Sequence, residues 1–289
     1  MPSPPKTSLS SSSPPTAPWK PARLDEYLSL SHAPNAKATS SIVKPLSIKV
    51  DSGPNGSVPG FLHLPPATSS TPATSTGVIF LSGAGGGVVG PSAMYLSLAE
   101  KLASLPRPMA ALRLDYRYPA CTAHCVRDVL AAMRELQDTY HMSSFVLVGW
   151  SFGGAPVFTV AGQDERVVGC VGIASQTADT DGIQFLAPRP VLLIHGTGDR
   201  TLGHSCSERL YEAYGRGGKR ELRLCEGDDH ALTRSSREAE QVVGGFVLEC
   251  AGLEVRGNGR GMGEVLVGEE EKVELMWKGG DLRGEERVE

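Results

Sequence analysis

The 289-residue sequence has no long apolar run and no strong excess of either charge. No stretch approaches the roughly 18 apolar residues of a membrane-spanning helix. The first twenty residues also lack the apolar segment of a secretory signal. With 28 basic and 32 acidic residues the formal charge is −4, so no overall basic field favours nucleic acid or anionic lipid. We therefore expect a cytoplasmic protein with no membrane span and no nucleic-acid partner.

The usual sequence patterns of metal sites are missing as well. The six cysteines include no CxxC pair, and the seven histidines include no HxxxH or HExxH pair. Cys121 and Cys125 are four residues apart with no second pair after them, which argues against zinc. Cys170 and Cys225 lie in apolar segments, where a cysteine acts as a small hydrophobic residue. We predict no metal, no cofactor and reduced thiols.

The beginning of the chain differs in composition from the rest. Residues 1–40 are rich in Ser, Pro, Thr and Ala. Such a segment buries too little apolar surface to offset its ordering entropy, so we predict a disordered tail. The absence of acidic residues before Asp25 resembles an organelle transit peptide. The few arginines and many prolines favour a plain flexible tail instead.

The end of the chain differs in a second way. Residues 252–289 are rich in Gly and Glu, which predicts a poorly ordered appendage or a small hairpin. The strands of that hairpin would be the apolar runs 264–267 and 273–277. This division leaves residues 41–251, and the 40% apolar content of the whole sequence suits a sizeable globular core.

Short apolar runs alternate with stretches of helical periodicity through this middle part. Met94, Leu98 and Leu102, for example, form the apolar stripe of a helix. The predicted strands are 41–50, 59–64, 77–82, 109–116, 144–149, 167–175, 189–196 and 220–227. Strands that alternate with helices predict an α/β fold, with a mostly parallel central sheet and helices on both faces. Functional groups of such sheets collect at the carboxyl ends of the strands.

A G-x-S-x-G motif directly follows the predicted strand 144–149. It consists of Gly149, Ser151 and Gly153, with a helix-compatible stretch after it. A serine that nucleophilic catalysis uses in this way sits on a strained strand-to-helix turn, which requires small residues two positions to either side. The alternative is an ordinary turn with a serine N-cap. The position at the end of a buried strand favours a catalytic nucleophile.

A second glycine-rich loop, Ser82–Gly87, follows the strand 77–82. Acyl transfer places negative charge on a carbonyl oxygen, and two backbone N–H groups usually stabilise it. One would come from Phe152, after the nucleophile, and the other from Ala84 or Gly85 in this loop, with Ala84 preferred. A phosphate-binding loop is the alternative, but no G-x-x-x-x-G-K-[ST] pattern is present.

An acid and a base follow Ser151 in the chain order that a serine hydrolase with a parallel sheet uses. Asp199 comes just after the strand 189–196, and His230 comes just after the next strand. A histidine takes the serine proton, and a carboxylate fixes the tautomer of that histidine. Asp181 is the other candidate acid. His195 lies at a strand end, where we expect it to be packed or hydrogen-bonded.

The motifs GWSFGG, HGTGD and GDDH together resemble the α/β-hydrolase superfamily over residues 42–251. The middle of the chain is most similar to small serine hydrolases of the dienelactone-hydrolase-like group. The resemblance implies the α/β-hydrolase fold, with Ser151 as nucleophile, Asp199 as acid and His230 as base. The chain departs from the group at two positions: dienelactone hydrolases proper carry cysteine at the position of Ser151, and the usual His-Gly of the oxyanion loop is Ser82-Gly83 here.

Only residues 176–188 separate two of the predicted strands, which leaves room for one short helix and for little or no lid. We expect a fairly open site for small or extended acyl groups. The residues predicted to contact substrate are Gly85, Trp150 and Tyr116. For Tyr116, packing at the sheet edge is the alternative.

These patterns predict a serine hydrolase of the carboxylesterase or thioesterase kind. It would cleave a small-molecule ester or thioester through an acyl-enzyme on Ser151. A small serine peptidase is one alternative, because peptidases of the prolyl-oligopeptidase type share G-W-S-x-G-G, although no propeller domain accompanies it here. A non-catalytic scaffold or binding protein with the same fold is the other.

Overall fold

The computed structural model describes residues 24–37, 41–50, 56–67, 69–71, 73–253 and 262–283. The strands of its central sheet are β1 (Ile42–Lys49), β2 (Ser57–Leu64), β3 (Thr76–Leu81), β4 (Ala111–Leu114), β5 (Ser144–Trp150), β6 (Val167–Ile173), β7 (Val191–Gly196) and β8 (Arg220–Cys225). The main helices are α1 (Met94–Ala103), α2 (Thr122–Tyr140), α3 (Gly154–Gln163), α4 (Ser205–Tyr214), α5 (Ser236–Cys250) and α6 (Lys272–Gly279).

The sheet order is β1-β2-β4-β3-β5-β6-β7-β8. β2 is antiparallel to both of its neighbours, β1 and β4, and every other pair is parallel. The predicted α/β class with a mostly parallel sheet is confirmed. From β3 the chain crosses to one side to form β4 and then to the other side to form β5. Such a reversal opens a crevice at the carboxyl ends of β3 and β5, where α/β proteins bind ligands.

Strand β3 shows how the sheet divides the core into two layers. Val78 and Phe80 belong to the layer that α1 and α5 cover. Ile79 and Leu81 belong to the layer under α2, α3 and α4. All six residues of the strand are buried, which explains its continuous apolar run.

The prediction of disorder over residues 1–40 is wrong for the part that the structure describes. Residues 24–30 form a 3₁₀ helix, in which Tyr27 and Leu30 are buried. The guanidinium of Arg113 on β4 donates hydrogen bonds to the carbonyl oxygens of Leu30 and Ser31. The buried side chains of Tyr27 and Leu30 and the buried guanidinium of Arg113 therefore order a stretch whose composition alone predicts disorder. Residues 1–23 and 38–40 lie outside the described residues.

The hairpin predicted near the end of the chain is also wrong. Residues 273–277 lie in α6, and 264–267 form no strand. The acids Glu269–Glu271 form a short 3₁₀ turn ahead of α6, where negative charge suits a helix N-terminus. Gly280 ends α6 in the left-handed conformation typical of a helix C-terminus. Met276 is buried in the core layer that α1 and α5 cover, so this segment is part of the fold.

The connection between β6 and β7 holds one short 3₁₀ helix, Asp181–Phe185. No inserted helical lid follows β6, in agreement with the length of this segment in the sequence. Within the described ranges, no helix has the length and apolar character needed to cross a bilayer.

Candidate active site

Ser151 lies on the sharp turn between β5 and α3. Its φ is +55°, a left-handed conformation that is strained for a residue other than glycine. A Cβ atom at Gly149 would collide with the carbonyl of Gly153, and one at Gly153 would collide with the carbonyl of Ser82. The turn therefore requires both glycines of the motif. It places Ser151 at the carboxyl end of the sheet, where the residue is 5% exposed.

Asp199 and His230 meet at the same edge of the sheet. Nδ1–H of His230 donates to Oδ2 of Asp199 at 2.6 Å. The other carboxylate oxygen accepts from the backbone N–H groups of Thr201 and Leu202, both at 2.8 Å. Asp181, the other candidate acid, is exposed on the turn between β6 and β7. The carboxylate that faces His230 is thus the one after β7.

The environment of Asp199 keeps its carboxyl ionised. Burial acts to raise the pKa of Asp199, but the hydrogen bonds from His195 and His230 outweigh it and hold this pKa below its usual range. An ionised carboxylate accepts hydrogen bonds only, so it keeps the ring proton of His230 on Nδ1. Nε2 of His230 is then the nitrogen that can take a proton from a hydroxyl.

Trp150 connects the turn of Ser151 to the loop of His230. Its indole N–H donates to the carbonyl oxygen of His230 at 2.9 Å, and the two rings lie 5.3 Å apart. Because Trp150 precedes Ser151 directly, these contacts bring the turn of Ser151 and the loop of His230 together. Within the described part of the chain, no hydrogen bond joins the Ser151 hydroxyl to the His230 ring. Catalytic hydrogen bonds are often loose without substrate and tighten when it binds.

A second histidine, His195, shares the carboxylate of Asp199. Nε2 of His195 lies 3.0 Å from Oδ2 of Asp199 and 2.9 Å from the carbonyl oxygen of Leu202. Two acceptors on one nitrogen mean that Nε2 carries the hydrogen. Nδ1 accepts from the hydroxyl of Ser207 at 2.7 Å. The sequence predicts a hydrogen-bonded His195 at the strand end, but not that its partner is the acid facing His230.

Replacing His195 with leucine should move the pH dependence of catalysis. A hydrogen bond to a charged group contributes about 1.5–3 kcal/mol. Without it the Asp199 carboxylate becomes more basic and attracts the His230 imidazolium more strongly. We therefore expect the acidic limb of kcat/KM to shift upward by roughly 0.5 to 1 pH unit. The measurement is a pH profile of hydrolysis by the variant and the wild type.

The matched control for this variant is His124→Leu, which changes an exposed histidine of α2. We expect its profile to overlay that of the wild type. A His195→Leu profile that also overlays the wild type would show that His195 contributes packing alone.

The glycine loop 83–90 follows β3 and lies beside the nucleophile turn. The hydroxyl of Tyr116 donates to the carbonyl oxygens of Ser82 and Gly83, which fixes the start of the loop. The ring of Tyr116 also lies 5.8 Å from that of Phe152. Tyr116 thus contacts both segments that were predicted to supply oxyanion donors. Ala84 and Phe152 are each half-buried, so both retain some accessible surface.

The three residues predicted to contact substrate have other roles in this structure. Trp150 and Tyr116 are fully buried, and their polar atoms donate to backbone carbonyls. Gly85 packs so closely against the backbone of Arg283 that a Cβ atom would collide with it. These residues therefore pack beneath the site and hold its backbone in place. The presence of aromatic residues beside the motifs in the sequence does not indicate which way their side chains face.

The chemical groups at this edge are a hydroxyl, an imidazole, a carboxylate and backbone N–H groups. A hydroxyl beside an oriented imidazole is the arrangement that acyl transfer to serine uses. Over the residues that the structure describes, no group of three or more His, Cys, Asp or Glu side chains is arranged to hold a metal ion.

Neither a family model nor a curated protein matches this chain, but solved structures do. Est1E from Butyrivibrio proteoclasticus, solved with ferulic acid bound, is 15% identical with a TM-score of 0.59, over 72% of this chain and 99% of that one. A dienelactone hydrolase from Anabaena variabilis is 19% identical with a TM-score of 0.56, over 70% and 96%. A lidless α/β serine hydrolase from Xanthomonas campestris is 16% identical with a TM-score of 0.55, over 74% and 96%. The chain has the α/β-hydrolase fold.

The resemblance inferred from the motifs is thus confirmed at the level of the fold. Each of these neighbours is matched over almost its full length, so the shared part is the complete fold. In the α/β-hydrolase fold a sharp strand-to-helix turn lies at the top of the sheet, and Ser151 occupies such a turn between β5 and α3.

Proposed function

We propose that the protein is a serine hydrolase that cleaves small-molecule carboxylic esters or thioesters. The observation that carries the proposal is the 2.6 Å hydrogen bond between His230 and Asp199, next to a strained serine on the G-x-S-x-G turn. The fold supports it, since neighbours of the same fold are named as an esterase domain and a dienelactone hydrolase. Ser151, Asp199 and His230 form the proposed catalytic triad.

In the proposed first half-reaction, Oγ of Ser151 attacks the carbonyl carbon while Nε2 of His230 takes its proton. The tetrahedral oxyanion accepts hydrogen bonds from the backbone N–H groups of Phe152 and Ala84. Asp199 stays ionised and stabilises the imidazolium. His230 then protonates the leaving group, which is the oxygen of an alcohol or the sulfur of a thiol. The carbonyl double bond re-forms, and the acyl group remains bonded to Ser151.

The second half-reaction returns the enzyme to its starting state. His230 removes a proton from water, and the hydroxide attacks the acyl carbonyl at the same oxyanion site. Collapse of this intermediate expels Oγ of Ser151, which regains its proton from His230. The products are a carboxylic acid and the free serine, with no metal or cofactor in any step.

The surroundings of the nucleophile favour small acyl groups. Ser151 is nearly buried, and the neighbouring Ala84 and Phe152 are half-buried. The linker after β6, which the structure describes throughout, adds no helical lid. We therefore propose short or slender acyl groups as substrates, which p-nitrophenyl and coenzyme A esters of graded chain length would test.

A fluorophosphonate probe tests the proposal directly. The probe phosphonylates a serine only when a base activates it, so the wild type should carry one adduct, on the peptide that contains Ser151. Ser151→Ala should carry none. Ser175→Ala is the control, because the Ser175 hydroxyl donates to the Gln176 carbonyl and takes no part in the proposed triad, and it should be labelled like the wild type. If the folded wild type stays unlabelled, the protein is a non-catalytic member of the fold.

A further inference from the structure

We propose that Asp281 is a positioning residue that holds the glycine loop 83–90 in the shape needed for oxyanion binding. Asp281 lies just after α6, in the segment that composition assigned to a loose appendage. Its carboxylate is fully buried. It makes contact with the loop that follows β3, far away in the sequence. This inference rests on the proposed hydrolase function.

Asp281 accepts hydrogen bonds from both ends of the glycine loop. At the start, the hydroxyl of Ser82 donates to Oδ1 of Asp281 at 2.6 Å. At the end, the backbone N–H of Gly90 donates to the same oxygen at 2.6 Å, and that of Val89 lies 3.1 Å from Oδ2. The residue proposed to supply the oxyanion donor, Ala84, lies between these fixed points. One carboxylate thus sets the span of the loop.

The loop and the segment 280–283 also fit each other through their backbones. A Cβ atom at Gly85 would lie 2.5 Å from the carbonyl oxygen of Arg283. One at Gly87 would lie 2.6 Å from the backbone nitrogen of Asp281. The glycines of the loop therefore permit the close approach that the carboxylate needs.

A second carboxylate supports the loop from β4. Oδ1 of Asp115 accepts from the backbone N–H of Gly87 at 2.8 Å, and Oδ2 accepts from the hydroxyl of Tyr27 at 2.9 Å. Arg283 donates in turn to the oxygen of Tyr27 at 3.0 Å. Both terminal segments therefore take part in one buried network around the loop. Their order in the structure follows from this network.

The protonation state of Asp281 suits this role at neutral pH. Burial raises the pKa of Asp281 to about 6, against the opposing effect of the hydrogen bonds from Ser82, Gly90 and Val89. The nearby Asp115 carboxylate also raises it. Above that pH the group is an acceptor-only carboxylate that faces three donors. The hydroxyl of Ser82 and the backbone N–H groups of Val89 and Gly90 then each donate to a carboxylate oxygen.

Replacing Asp281 with alanine or asparagine should affect kcat far more than KM. Removal of one oxyanion donor lowers kcat by about 10²- to 10³-fold, and a displaced donor should cost less. We expect Asp281→Ala to lower kcat roughly 30- to 100-fold, because the oxyanion contact is made in the transition state and not in the bound substrate. Asp281→Asn keeps one acceptor oxygen and should recover part of the loss, and Ser82→Ala should lose only several-fold.

The matched control is Glu274→Ala, which removes an exposed acid of α6 that pairs with Lys278. Its kcat should equal that of the wild type. Thermal melting of every variant separates loss of folded protein from loss of kcat. If Asp281→Asn and Ser82→Ala both melt near the wild type and keep its kcat, the proposal is overturned.

Hydrogen exchange gives a readout that does not depend on activity. In Asp281→Asn, peptides from 83–90 should exchange faster, while the nucleophile turn 149–154 keeps its protection. Unchanged exchange in the loop overturns the positioning role even if the enzyme is active. Faster exchange in the loop of a protein that the fluorophosphonate probe does not label would support the role of Asp281 in the loop and reject the hydrolase proposal alone.

Discussion

Under the proposed function, replacing Ser151 with alanine should lower kcat for ester hydrolysis by about 10⁶-fold, the loss seen when the nucleophile of a serine protease triad is removed. The acyl-enzyme cannot form without Oγ, so the remaining rate comes from binding and from the oxyanion site. The measurement is steady-state hydrolysis of the best p-nitrophenyl ester from the substrate screen.

The same substitution should leave the thermal midpoint nearly unchanged. Within the described residues the Ser151 hydroxyl has no hydrogen-bond partner, so its removal leaves no buried donor or acceptor unsatisfied. Alanine and serine both adopt the strained φ of the turn at similar cost. A folded Ser151→Ala variant that still hydrolyses the ester at the wild-type rate would show that another residue is the nucleophile.

Replacing Asp199 with asparagine should lower kcat by about 10⁴-fold, the loss known for this change in a serine triad. The carboxamide presents an N–H group where Nδ1–H of His230 now donates, so the ring favours the tautomer with its hydrogen on Nε2. That tautomer places a proton, in place of a lone pair, toward the serine. His195 loses its charged acceptor at the same time. The measurement is kcat with a saturating ester.

The control for this change is Asp181→Asn, the same substitution at the other candidate acid. Asp181 is exposed and should tolerate it with kcat within about twofold of the wild type, as surface substitutions do. The reverse pattern, with activity lost in Asp181→Asn and kept in Asp199→Asn, would reassign the acid.

The sheet and the nucleophile turn were predictable because their signals are local. Buried parallel strands are continuous apolar runs, and the predicted strand 77–82 differs from β3 by one residue at each end. The turn at Ser151 depends on glycines two residues away, so a five-residue motif contains it. Asp199 and His230 follow from their positions after successive strands, since carboxyl ends of parallel strands meet at one edge.

The terminal segments were not predictable because their order depends on distant partners. The average composition of residues 24–37 predicts disorder, yet the buried side chains of Tyr27, Leu30 and Ala33 pack into the core and the Arg113 guanidinium bonds the backbone there. The run Val273–Trp277 is apolar enough to suggest a strand, while the buried Lys272, Met276 and Gly279 follow helical spacing. Nothing near Asp281 in the sequence indicates that Ser82 is its partner.

The substrate-contacting residues were assigned by position alone, and position does not give side-chain direction. Trp150 and Tyr116 flank the catalytic edge in the sequence, but both point into the core and donate to backbone carbonyls there. A large aromatic ring next to such a serine in the sequence can either pack against the strand-to-helix turn or contact a ligand. Only the fold distinguishes the two roles.

The position of Asp281 after all eight strands of the described sheet has a consequence for biosynthesis. The ribosome translates both halves of the sheet, the nucleophile and the histidine loop before it adds the segment 279–283. A nascent chain can therefore assemble its strands while the glycine loop still lacks its buried carboxylate. Under the proposed function, the oxyanion site would then be completed only when α6 docks onto an already folded sheet.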